Sequence, residues 1–438
     1  MKQLVAIFLW SIACTTWAQK PTVPTPATAQ TQAIAITNAT IHIGDGTVLE
    51  QANIVFEQGK ITQIGKNINL PPNAQTIDAR GKQVYPGFIA VNSTIGLTEI
   101  GAIRATNDRN EVGELNPNVR SIIAYNTDSH VIPTLRSNGL LLAQVVPQGD
   151  ALITGTSSVV QLDAWRWEDA AYKTDDAIYM NWSRMYKTEG WDSPEGPRTV
   201  QNEEYNQHLA QVKDLFDQAK AYCNENQHNP QNNKLAAMCG LFDGSKKLYI
   251  RCNYSREIID AVTFAQQYGV KMVLVGGDDA WKVTDLLRTH NVSVVINRTH
   301  NLPNRTDEDV DISFKLPKLL QDAGVGFCLT SGSGWDAFWD VRNLPFEAGT
   351  AAAYGLTKEQ ALSSITLNAA KVLGIDATVG SLAVGKDANI LVSTGDILDM
   401  RTSKVEKAFI QGREIDLDNK QKALYRKFAA KYGIEVKE

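Results

Sequence analysis

Between residues 88 and 329 the chain returns repeatedly to short apolar runs, at 88–91, 140–146, 159–162, 248–250, 272–275, 292–296 and 325–329. Each is too short for a core helix and lacks the alternation of a half-exposed strand, so each reads as a strand buried on both faces. Helical patterns separate several of them. Residues 258–268 set Ile258, Ile259, Val262, Phe264 and Ala265 on one face; 278–290 do the same with Trp281, Val283, Leu286 and Leu287, behind a cap at Asp278 or Asp279. Buried strands alternating with helices make a parallel sheet. Seven or eight of them over roughly 300 residues favour a closed (β/α)8 TIM-like barrel over an open sheet.

The flanks are different. Residues 33–41, 52–57 and 60–64 alternate apolar and polar, with a tight corner at Gln58 and Gly59, and 76–79 and 83–85 continue in that style. After Gly380, strands return at 388–392 and 405–410 with a Gln411–Gly412 corner. The two ends are therefore expected to join, 33–85 with 380–416, as a small composite β-sandwich domain into which the barrel, 86–379, is inserted. A chain of 438 residues exceeds the roughly 250–300 that one core usually serves, which fits this division. A capping box, Thr357 to Gln360, opens a helix carrying Ala361, Ile365, Ala369 and Val372 that stops at Gly374. Residues 417–438 predict a last helix docking through Phe428 and Tyr432. A polar, helix-biased excursion fills 181–244, and no internal repeat is present.

Residues 1–18 have the form of a secretory signal peptide: Lys2, an apolar stretch from Leu4 to Ala13, and a small-x-small site at Thr16, Trp17 and Ala18. Cys14 offers lipidation as the alternative. Residues 19–32, rich in Pro, Thr, Ala and Gln, read as a flexible spacer. A periplasmic or secreted protein is expected, with no membrane span, since no later stretch is apolar for long enough. In an oxidising compartment Cys223 and Cys239 either bridge the polar loop between them or remain two buried thiols. With 43 basic against 48 acidic residues and 43% hydrophobic content, the chain is neither a nucleic-acid binder nor disordered.

Several chemistries are excluded by what is missing. Residues 380–386 look like a phosphate loop, but Asp387 stands where a Ser or Thr must hold Mg²⁺, and a strand follows. There is no GxSxG and no GxGxxG after a strand. The six histidines, at 42, 130, 208, 228, 290 and 300, never fall at HxH or HExxH spacing.

Particular stretches carry a resemblance. Residues 84–89 (VYPGFI), 367–374 (LNAAKVLG) and 380–390 (GSLAVGKDANI) resemble the opening strand, closing helix and returning strands of the amidohydrolase superfamily. Residues 96–108 (GLTEIGAIRATND) and 344–349 (LPFEAG) are similar to its secreted, imidazolonepropionase-related bacterial branch. The resemblance implies hydrolysis of non-peptide carbon–nitrogen bonds, with one or two divalent ions, zinc by default, at the C-terminal mouth of the barrel. Such ions need close-set imidazole and carboxylate ligands. Here the HxH positions read Asn92, Ser93 and Thr94, a later strand end reads Arg251, Cys252 and Asn253, and Ser331 stands about where the last Asp should be. The usual metal centre is thus expected to be lost, with no cofactor in its place; Asp336 could reach back only from five residues beyond Ser331.

The expected site is the set of barrel strand ends. His300 is the candidate general base, and Asn92, Thr94, Asp163, Arg251, Asn253 and Ser331 are the candidate substrate-binding residues. Arg251 could hold a carboxylate in two-point fashion or pair internally with an acid such as Asp163. Trp165 and Trp167 offer stacking surfaces, and Asp108, Arg109 and Glu111 form a charged cluster after the first barrel strand. Two function classes remain: a metal-poor hydrolase of C–N bonds, and a non-catalytic barrel binding a small molecule or partner at its mouth. An isologous dimer is the default oligomeric expectation.

Overall fold

The computed structural model describes residues 26–190, 193, 195–225, 229–332 and 337–436. The expected signal peptide, Cys14, the spacer as far as residue 25, and Asp336 lie outside the described residues.

Strands from both ends of the chain share one sheet. From one edge to the other run Arg413–Glu414, Val405–Ile410, Ile390–Ser393, Gln83–Pro86, Ile34–His42, Val48–Glu57 and Lys60–Gly65, with Gln75–Asp78 also on Ile34–His42. The junction of the two ends is the antiparallel pairing of Ile390 with Pro86 through Ser393 with Gln83. Strands in a sheet lie about 4.8 Å apart. Phe56 and Phe409 sit four strands apart in this order, yet their rings meet edge to face at 5.0 Å. The sheet must therefore curl on itself, and it encloses Ile36, Ile41, Ile54, Phe56, Val84, Ile390 and Phe409. Residues 26–32 are held against the fold instead of hanging free. Gln30 takes the amide of Gly59 and donates to the carbonyl of Phe56, both at 2.9 Å.

The barrel strands are β1 (Phe88–Ser93), β2 (Leu140–Val145), β3 (Ile153–Gln161), β4 (Ala171–Asn181), β5 (Lys247–Cys252), β6 (Met272–Gly276), β7 (Ser293–Ile296) and β8 (Phe327–Leu329). They form one eight-stranded sheet in chain order among the described residues. The Thr330 hydroxyl donates to the carbonyl of Val91 at 2.7 Å, so the last strand is drawn to the first and the barrel nearly closes. Ile89, Val91, Leu142, Val159, Tyr179, Tyr249, Val275 and Val295 fill its interior. The helix Leu367–Leu373 joins that core at one end, where the carbonyl of Val372 accepts from the Tyr249 hydroxyl at 3.0 Å. The Thr357–Gln360 capping box forms as expected, with both reciprocal hydrogen bonds present.

Two features depart from the expected strict (β/α)8 alternation. An eighth strand, β4, forms around a short apolar run at 177–180 that is not among the seven runs read as strands, and β3 runs antiparallel to both β2 and β4. The stretch 162–170 is shorter than the dozen or so residues a parallel crossover needs, so the chain turns straight back. The excursion after β4 builds a small hairpin, Tyr186–Glu189 with Arg198–Gln201, and two helices, α1 (Tyr205–Cys223) and α2 (Asn233–Phe242). Of the two states left open for Cys223 and Cys239, the disulfide is the one found, with Cα atoms 5.4 Å apart. The last helix, Lys420–Tyr432, docks through polar contacts and Ala429. Asn419 reaches Ser137, and Gln421 accepts from Thr134, both at 3.0 Å. Phe428 and Tyr432, the residues expected to bury, are exposed. Among the described residues no helix is long and apolar enough to cross a membrane.

Candidate functional site

The C-terminal ends of β1, β2 and β4 to β8, together with the start of the reversed β3, meet at one face of the barrel. β1 breaks its register with β2 there, and Asn92 takes a left-handed backbone, φ 56°, a conformation Asn tolerates better than most residues. Asn92 thereby faces Arg251, which projects from β5. The Arg251 guanidinium donates to Asn92 Oδ1 at 3.3 Å, to the carbonyl of Pro147 at 3.1 Å, to Asn181 Oδ1 at 3.3 Å and to Thr154 Oγ1 at 3.4 Å. One cation thus ties together five strand ends. It also lies over the Tyr179 ring, 4.7 Å from its centroid, a cation–π contact. Burial pulls its pKa down to about 10, while Tyr179 works the other way, so the group stays charged at neutral pH. No carboxylate among the described residues pairs with it; the internal partner considered from sequence, Asp163, is elsewhere.

Deeper in the barrel the Tyr179 hydroxyl donates to Gln144 Oε1 at 2.7 Å. Gln144 in turn donates to Asp176 at 2.9 Å, and Ser157 donates to the same carboxyl at 2.7 Å. Burial pushes the Asp176 carboxyl up, against these two hydrogen bonds. The network is closed on itself and holds Tyr179 rigidly beneath Arg251.

Above Arg251 opens a cleft of 560 Å³, lined by Gln148, Asn181, Trp182, Ser183, His208 and Asn253 among others. Polar atoms buried without a hydrogen-bond partner concentrate at this face: Asn92 Nδ2, Thr94 Oγ1, Gln148 Nε2, Trp182 Nε1, Arg251 Nε, Asn253 Oδ1 and Ser331 Oγ. Buried polar groups are ordinarily paired, so a cluster of exceptions marks a place where a ligand or ordered water completes the bonding. Gly276 is part of the construction. A Cβ there would stand 2.2 Å from Asn253 Oδ1, and its φ of 95° is one that side chains rarely adopt.

Of the residues chosen from sequence, Asn92, Arg251 and Asn253 come together around the cleft, and Thr94 and Ser331 are buried at the neighbouring ends of β1 and β8. Asp163 does not join them. Because β3 runs backwards, its far end is the barrel floor, and there Asp163 is wholly buried between Arg136 and Arg413, with the Ala27 amide also donating to it at 2.9 Å. It is a structural anchor, not a mouth residue, and Trp165 and Trp167 go to the floor with it. His300 follows β7, but its ring turns away from the cleft. Nδ1 lies 3.3 Å from Glu347 Oε1 and Nε2 contacts the Thr350 hydroxyl, so both nitrogens are engaged by the helix Leu344–Ala353. Asp108 and Glu111 are exposed on the loop after β1.

Sequence reasoning missed the cleft's own histidine. His208, on α1, has Nδ1 3.0 Å from the Ser183 hydroxyl, and both line the cleft. Only the packing of α1 over the mouth joins them, and nothing in their spacing announces it. Glu257, which also lines the cleft, has its carboxyl raised by burial although the Met185 amide partly offsets this. Cys252 also lines the cleft, and burial pushes its thiol up.

A divalent cation is what a barrel of this kind implies, and the described residues do not fit one. The side chains at the strand ends are amides, hydroxyls and a guanidinium, whose charge opposes a cation, and the imidazole of His208 and the carboxyl of Glu257 come to the cleft without forming a ligand cluster. Among the described residues no cluster of three or more His, Cys, Asp or Glu could hold a metal ion.

Fold and site together define a class: a nearly closed barrel with a polar cleft at its strand ends, beside a curled sheet built from strands of both ends of the chain. The amidohydrolase family model matches residues 244–415. The crystal structure of an amidohydrolase from Thermotoga maritima aligns with a TM-score of 0.77 and 23% identity, covering 87% of this chain and 99% of that one. A prolidase solved with N-methylphosphonate-L-proline aligns with a TM-score of 0.51 and 17% identity, over 88% and 99% of the two chains. The family match covers the second half of the barrel and the returning strands, and the likeness to these solved structures shows that the fold is theirs. Among curated relatives, the amidohydrolase tasK of Hapsidospora irregularis is 20% identical over 413 residues, which is 87% of this chain and 41% of that protein. This chain therefore spans about two fifths of its length. An imidazolonepropionase of Shewanella putrefaciens is 64% identical over 36 residues, 8% of this chain and 9% of that one.

Proposed function

We propose that this protein takes a small molecule with a non-peptide carbon–nitrogen bond into the cleft at the barrel mouth, held by hydrogen bonds and charge in place of a metal centre. The observation that carries the reading is the concentration of unpaired buried polar atoms around Arg251. Hydrolysis of that bond is supported by the match of residues 244–415 to the amidohydrolase family model and by the Ser183–His208 pair, a hydroxyl within hydrogen-bond reach of an imidazole. A second reading, a binding protein without turnover, is favoured by the amide-and-hydroxyl character of the strand ends, which supply no base where the superfamily has one. The short, strong match to an imidazolonepropionase supports placement in that branch. Export to an oxidising compartment is supported by the pattern of residues 1–18 and by the Cys223–Cys239 bridge.

The deciding experiment incubates the protein with a panel of small amides, cyclic imides and ureas, with and without added zinc, and follows the melting temperature together with the product, released amine for the amides and ureas and ring-opened half-amide acid for the imides. Zinc-independent turnover that Ser183→Ala lowers at least 100-fold establishes the hydrolase. Melting shifts without product in any condition establish the binding protein. Turnover that requires zinc and is indifferent to Ser183→Ala overturns the metal-free reading.

A further inference from the structure

Resting on that reading, we propose that Arg251 is the resident cation of the barrel mouth, and that the cleft recognises the carboxylate of a small organic acid. The guanidinium stands where five strand ends converge, and every partner it has is neutral. A guanidinium half-buried and left without an acid is costly, and a protein ordinarily meets that cost with an Asp or Glu. This same chain does so at the barrel floor, where Asp163 takes Arg136 and Arg413 together. At the mouth the cation is kept, and no acid among the described residues pairs with it.

The bonds Arg251 does make are weak ones. Three of the four are 3.3–3.4 Å long, against about 2.7–2.9 Å for a charge-assisted bond to a carboxylate, and Nε has no acceptor. An arriving carboxylate can replace them with shorter bonds. The neighbouring unpaired atoms are of the same kind: Asn92 Nδ2, Gln148 Nε2 and Trp182 Nε1 are all N–H donors, and Asn253 Oδ1 is the acceptor among them. A surplus of donors around a positive charge matches a ligand rich in acceptors and negative. The acids of the cleft do not cancel this. Glu257 accepts the Met185 amide, and Glu114 and Asp150 stand exposed at the rim. The arrangement also accounts for the donor set that fits no divalent cation: a fixed positive charge of the chain itself occupies the mouth.

The test compares N-acetylglycine with its neutral amide, N-acetylglycinamide, by isothermal titration into the wild-type protein, Arg251→Gln and Arg251→Lys. Each variant is checked by circular dichroism and melting temperature. The wild type is expected to bind the acid at least tenfold more tightly than the amide. Arg251→Gln should abolish that preference, and Arg251→Lys should keep part of it. A preference that survives in Arg251→Gln overturns the assignment. Equal binding of acid and amide by the wild type also overturns it, while leaving the cleft as a site for C–N compounds. Binding of neither defeats both readings. Stoichiometric zinc at the mouth of the wild-type protein would likewise overturn it.

Discussion

Single residues at the boundary between sheet and barrel respond to pH in a way their surroundings dictate. His42 ends a strand of the curled sheet, stacks on Tyr85 at 4.4 Å, and bonds Glu359 at 2.7 Å and Gln83 at 2.9 Å. Burial alone would lower its pKa, but the hydrogen bonds to Glu359 and Gln83 outweigh burial and raise it above the ordinary imidazole value. A raised folded-state pKa means stability that is whole below about pH 6.5 and is lost as pH climbs through the folded value. His42→Gln should therefore cost about 1–2 kcal/mol near pH 5.5 in urea unfolding, with the difference narrowing by about pH 8.5. An unchanged difference across that range would show the contact to be packing alone. At this scale the sequence was a partial guide. Asn92, Thr94, Arg251, Asn253 and Ser331 could be found because each ends or follows a recognisable strand. Gln148, Trp182 and the Ser183–His208 pair could not, since they reach the mouth through turns and a helix whose packing no periodicity encodes.

Among the elements, β3 and β4 explain most of what sequence reading misplaced. The first half of β3 carries Thr154, Thr156, Ser157 and Ser158, all buried and all polar, and β4 holds only a four-residue apolar run, 177–180, behind a polar first half and the buried Asp176, so the apolar signature of a doubly covered strand is cut short in both. The hydrogen bonds that make this tolerable, such as Ser157 to Asp176, exist only after folding. With β4 unseen, β3 read as an ordinary parallel strand, and its last residues were assigned to the mouth. The reversal sends Asp163 to the floor, where its role is to neutralise two arginines. Asp163→Ala should then destabilise the protein by about 3–5 kcal/mol in chemical unfolding, the range expected when a buried ion pair loses one partner. Acid binding at the mouth should be unaffected in the fraction that is folded. Loss of binding with unchanged stability would return Asp163 to the site.

For the molecule as a whole, the large outline was legible and the fastening was not. Alternating strands at both ends and buried runs between them point to an inserted barrel, and the structure has a nearly closed eight-stranded barrel sheet between strands of the two ends that share one sheet. How far the sheet curls, and that residues 26–32 are strapped to it, follow from tertiary contacts between distant residues. The Cys223–Cys239 bridge fastens α1 to α2 across a separation of 16 residues. Chain-entropy arguments put a loop of that size at about 3 kcal/mol. Reduction, or the Cys223→Ser/Cys239→Ser pair of changes, should lower the melting temperature while acid binding below the melt persists. A protein whose melt ignores reduction would show that the helical excursion unfolds separately from the barrel.

The junction of the two chain ends also sets an order of events during synthesis. Strand Gln83–Pro86 has its partner Ile34–His42 from the start, but its other edge pairs only with Ile390–Ser393. Until some three hundred further residues have been made, that edge stays bare, and a bare edge recruits strands from other chains. The Asp163 clamp waits equally long for Arg413. The nascent protein is thus most prone to aggregate just before its last strands arrive, and a chaperone that masks strand edges would act on it then.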